Sequence, residues 1–147
     1  MTAAAIWIAA SCAWAMAAPP QSFRAAQLIV TAPWSRPTPP GASVGVMYLA
    51  IRNGGSKPDR FLGATTPIAA EATIHETRDA GGVMEMRAVG AVDLPPGKTV
   101  RLEPSGLHLM LTGLRRPLRA GMRFPVRLRF ARAGSLTVLV LVRADEP

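Results

Sequence analysis

With 147 residues the chain can bury one moderate core and no more. Seventeen basic against nine acidic side chains give a net charge of +8, which invites a nucleic-acid partner. The arginines are spread over alternate positions without a basic run, and aromatics make up only 5%, so a solvated basic surface is the reading and no nucleic acid is expected.

Residues 3–18 are apolar, apart from one Ser, and uncharged. The stretch is shorter than the roughly 20 residues of a membrane span. Ala15-Met16-Ala17 supplies a small-x-small cleavage pattern, so residues 1–18 read as a secretory signal and 19–147 as one domain without a membrane span. No Lys or Arg precedes the apolar run, which keeps an uncleaved anchor or a lipoprotein as alternatives; Ala9-Ala10-Ser11-Cys12 is a poor lipidation site because it lacks the usual Leu. Processing removes Cys12, the single cysteine, leaving an exported protein with neither disulfides nor thiol chemistry.

The 14 Pro and 13 Gly punctuate short apolar runs, and no helical period extends over the rest of the chain, which is an all-β signature. A strand over residues 28–31 leads into a Pro-rich connector whose Trp34 is expected in the core. Residues 44–53 alternate as a strand, with Met47 as core filler, and 60–65 return. Residues 71–89 form a hairpin turned by Asp79-Ala80-Gly81-Gly82. If Ala80 and Gly81 are its loop, His75 faces Met86 and Thr77 faces Met84. Strands over 99–102 and around His108 and Met110 follow, then an Arg-bearing loop, a cleanly alternating strand over 122–130 and a closing strand over 136–142. Such a count, about nine, fits a β-sandwich or Greek-key barrel.

Side chains alternate across a strand, so with Ala80 and Gly81 as the loop His75, Met84 and Met86 share one face of the hairpin, whereas a three-residue loop would put Met86 on the other; His108 and Met110 share one face of their strand. Two imidazoles with two thioethers are a soft, neutral donor set that suits Cu(I) and fits Mg, Ca or Mn poorly; without a mature Cys, blue-copper and zinc-thiolate sites drop out. Methionine in a strand is also ordinary core filler, so spacing alone leaves metal binding and packing both open.

His75, ten residues, Met86, twenty-one residues, then His108-x-Met110 is similar to the metal motif of the PCu(A)C family of periplasmic copper chaperones. Trp34-Ser35-Arg36-Pro37-Thr38-Pro39-Pro40-Gly41 resembles that family's entry segment. Tyr48-Leu49-Ala50-Ile51-Arg52-Asn53 resembles its second strand, and Leu107-His108-Leu109-Met110-Leu111-Thr112-Gly113-Leu114 its His-x-Met strand. The resemblance runs over residues 29–142 and implies a cupredoxin-like fold with His75, Met86, His108 and Met110 as ligands to one Cu(I). It also implies delivery to the Cu(A) centre of cytochrome c oxidase, to subunit II directly or through a Sco-type protein. Met84 is a same-face substitute for Met86. The His- and Met-rich extension of some relatives is missing, so a second copper site is not expected. A monomer without enzymatic activity is expected: Glu76 and Glu85 fall on the other strand face, and no catalytic triad is in view. The competing reading is a metal-free β-sandwich adhesion or assembly module.

Overall fold

The computed structural model describes residues 21–147, so the expected signal segment lies outside the described residues. Eleven strands follow in order: β1 (Ser22–Ala25), β2 (Leu28–Ser35), β3 (Val44–Asn53), β4 (Asp59–Thr65), β5 (Glu71–Asp79), β6 (Met84–Ala88), β7 (Val92–Leu94), β8 (Thr99–Leu102), β9 (Leu107–Thr112), β10 (Arg123–Phe130) and β11 (Gly134–Val142). Among the described residues no helix is long and apolar enough to cross a membrane.

The period of two that builds these strands is plainest in β10. Phe124, Val126, Leu128 and Phe130 are buried there while the residues between them are exposed. The strands follow the order β2-β11-β10-β4-β5-β9-β3, and β2 pairs with β3 to close a seven-strand barrel of cupredoxin-like type. The remaining four strands fill edges: β1 on β2, β6 on β5, β7 on β4 and β8 on β3. Phe61, Met47, Ile51, Leu109, Leu111, Phe124 and Leu128 lie fully buried inside the barrel, and Met47 is core filler as expected.

The short strands β1 and β7 were not anticipated. Nor was the extension of β2 through Pro33 to Ser35, where a connector was expected. Proline fits here because the strand breaks register between Thr31 and Trp34, with Ala32 in the left-handed region at φ 47°. Trp34 is buried as expected, its ring tilted by 40° against Tyr48 with centroids 4.8 Å apart, on the side of β3 opposite Met47 and Leu49.

Candidate metal centre

Strands β5 and β9 are antiparallel neighbours in the barrel wall, and their register sets His75 directly opposite His108. Ile74 and Leu109, one residue on, fill the core, so both imidazoles stand on the outward face of the wall. Their ring centroids are 6.0 Å apart and their planes differ by 28°.

Each ring is held by a group two residues earlier in the chain. His108 Nδ1 lies 3.0 Å from the Gly106 carbonyl oxygen, which can only accept, so Nδ1 carries the proton. In the neutral ring this leaves a bare lone pair on Nε2. That atom is buried, and it is the one buried side-chain nitrogen or oxygen among the described residues without a hydrogen-bond partner. An orphaned acceptor in a residue only 4% exposed is costly. The same Gly106 carbonyl accepts from Thr77 N at 3.1 Å, so one oxygen ties the β5 backbone to the His108 ring. Gly106 is presented by a tight turn over residues 103–106, in which Ser105 takes φ 67° and Glu103 N donates to Leu107 O at 2.8 Å. His75 Nε2 lies 3.0 Å from Thr73 Oγ1, which leaves its Nδ1 free. Neither Thr73 nor Gly106 was singled out in the sequence, although both stand two residues before a histidine, Thr73 within β5 and Gly106 in the turn that enters β9.

The thioethers flank this pair on opposite diagonals. Met110 follows His108 on β9 and lies across from Thr73. Met86 pairs with Thr77 rather than with His75, which itself pairs with Ala88. The expected two-residue loop is in fact four residues, 80–83, closed by Ala80 N donating to Val83 O at 2.8 Å and Gly82 N donating to Asp79 Oδ1 at 2.7 Å. Gly81 and Gly82 both take positive φ, 71° and 88°, a pair of conformations that glycine adopts without strain. Lengthening the loop by two slides β6 by two residues, so every side chain keeps its expected face. Met86 therefore remains on the face of the histidines, diagonal to His75 and 53% exposed, while Met84 moves one pair further out, opposite Asp79.

Among the described residues no three His, Cys, Asp or Glu side chains gather into a metal-holding group. Glu76, next to His75, points to the other face. There Arg78 first, and Arg87 with it, hydrogen-bond its carboxylate and hold it below the usual carboxylate range. The soft donors on the face of the histidine pair are the thioether sulfurs of Met86 and Met110.

The family model described as "Putative lipoprotein LpqE-like" matches residues 28–142, which spans every barrel strand. The chain belongs to the LpqE-like family. A curated relative of this LpqE-like protein is the "Putative lipoprotein Lxx21020" of Leifsonia xyli subsp. xyli, 35% identical over 104 residues, or 70% of this chain. The aligned part spans 63% of that relative's length. Among solved structures, the copper-bound PCuAC domain of PmoF2 superposes with a TM-score of 0.74 at 22% identity, covering 85% of the LpqE-like chain and 99% of that domain. The Cu(I) form of DR1885 from Deinococcus radiodurans superposes at 0.63 with 28% identity, covering 77% and 76% of the two chains. The PCu(A)C resemblance read from the sequence thus reappears in the fold of the LpqE-like protein's structural neighbours.

Proposed function

We propose that this protein is a copper carrier of the cell envelope that holds one Cu(I) through His75, Met86, His108 and Met110 and passes it to another protein without catalysing a reaction on it. The observation that carries the reading is the buried Nε2 of His108. It is unpartnered, and the ring is fixed by the Gly106 carbonyl on the far nitrogen, the arrangement that orients a metal-binding imidazole. Imidazole beside thioether selects Cu(I) among the common metals. Copper-bound structures of similar fold, and lipoprotein descriptions of the family and its relative, support cargo and compartment. The proposed compartment is the periplasm. The proposed recipient is the Cu(A) site of cytochrome c oxidase, reached through its subunit II or a Sco-type intermediary. Neutral ligands leave the ion its positive charge, which favours onward exchange to thiolates.

The test is a competition titration of the chain with Cu(I) against a chromogenic chelator, run beside His108→Leu and a Met86→Ala/Met110→Ala double variant. One Cu(I) per wild-type chain is expected, with binding weakened more than about 100-fold in His108→Leu. The metal-free stability of His108→Leu should stay level or rise by about 1 kcal/mol, because the substitution removes the orphaned nitrogen. Unchanged copper binding, or a large loss of stability in His108→Leu, would return the histidine to a packing role and favour the adhesion-module reading.

A further inference from the structure

The charge of this protein is not spread evenly. Residues 113–143 hold eight arginines and no Asp or Glu, which equals the net charge of +8; the rest of the chain is balanced. This stretch builds β10, β11 and the loop that precedes them. Arg123, Arg127 and Arg129 stand on the outward face of β10, with about 7 Å between residues two apart on a strand. Across the register, β11 offers them Leu141, Thr137 and Ser135, and β4 offers Thr65 and Gly63, none of them acidic. The ion pairs among the described residues lie elsewhere, at Arg36–Glu146, at Arg60–Asp93 and at Glu76 with Arg78 and Arg87. Half-buried Leu139 and Leu141 lie between these guanidiniums and the neighbouring strand, so the wall is basic and apolar at once.

In the closed strand order β11 lies across the barrel from β5 and β9, and β10 across from β9, with β4 between β10 and β5. We propose that the β10–β11 wall docks on an anionic phospholipid surface and holds the His75–His108 face turned away from it.

One feature selects lipid over an acidic protein. A repeating row of guanidiniums beside leucines matches a repeating array of phosphates over acyl chains, where each guanidinium can bind phosphate in fork geometry. The inference does not depend on the opposite wall holding copper.

The full chain is tested by co-sedimentation with vesicles of phosphatidylcholine alone and of phosphatidylcholine with phosphatidylglycerol. Two triple variants of equal charge loss are compared with it: Arg123→Ser/Arg127→Ser/Arg129→Ser on the wall, and Arg52→Ser/Lys98→Ser/Arg101→Ser on β3, β8 and the turn before β8. The expected result is binding to the anionic vesicles only, weaker by roughly tenfold to a hundredfold in the wall variant and near wild type in the control. Rising salt should weaken it. Equal binding to both vesicle types would assign the attachment to the apolar stretch, and equal loss in both variants would assign it to bulk charge. Absence of vesicle binding would leave the wall to an acidic protein. Each of these three results overturns the proposal.

Discussion

At the scale of single residues, the two histidines show how a strand prepares a side chain by way of its own i−2 neighbour. Gly106 fixes the tautomer of His108 through a backbone carbonyl, whereas Thr73 meets His75 Nε2 through a hydroxyl that can either donate or accept. When Nε2 of His75 donates to Thr73 Oγ1, Nδ1 is the nitrogen left to bind an ion. Thr73→Val should therefore weaken Cu(I) binding by about tenfold, the lower end of what losing a supporting partner costs, because Thr73 is exposed; Thr73→Ser should retain it. The chelator competition that measures wild type measures both variants. Tighter binding in Thr73→Val would mean instead that the hydroxyl competes with the ion for Nε2. The face shared by His75 and its methionines was readable from strand parity. The bare Nε2 was not, because it depends on a turn in which Ser105 adopts a left-handed conformation that its sequence does not announce.

At the scale of elements, parity proved more robust than register. The hairpin loop is longer than a pair of turn residues, yet a slip of two leaves every side chain on its expected face. The β2 extension was missed because proline usually ends a strand, and only the backbone kink at Ala32 lets Pro33 sit within one. At the far end of β9, Gly113 takes φ 66°, and Ala70 N donates to both Thr112 O and Gly113 O, joining the end of β9 to the start of β5. A Cβ built on Gly113 would lie 2.7 Å from Ala70 Cβ. Gly113→Ala adds a left-handed strain to that clash and should destabilise the fold by about 2–4 kcal/mol in urea denaturation. The same strain loosens the β5–β9 register that brings the two imidazoles together, so copper affinity should fall with it.

At the scale of the whole molecule, the barrel closes by strands trading places along shared edges. β5 pairs with β4 at Ala72 and with β6 from His75 onward, while β2 gives one edge first to β1 and then to β11. Alternation in the sequence marks each strand but carries no record of such distant handovers, so the barrel class was legible and the order of its staves was not. One global property is open to direct measurement. Burial holds the phenol of Tyr48, the only tyrosine, above its usual value of 10.0, with Arg36 partly opposing and Glu146 assisting. The unfolded chain then releases this proton first as pH climbs past about 10, so stability falls from there upward. Phenolate absorbance should appear at higher pH in the folded protein than in urea, and Tyr48→Phe should show a shallower alkaline loss.

The offset of Met86 from His75 shapes how a held ion would leave. On a flat sheet the Cα atoms of Met86 and Met110, at opposite diagonals of the histidine pair, would be roughly 17 Å apart. Sharing one ion therefore requires the β5–β6 ribbon to curl inward. His75, His108 and Met110 belong to staves of a closed barrel, whereas Met86 sits on a strand held by β5 alone among the described residues. The proposed site would then work like a jaw with one fixed and one hinged side. An incoming ligand that displaces only the hinged thioether opens a coordination position while the imidazoles keep their hold, so a handover can start before the donor has let go.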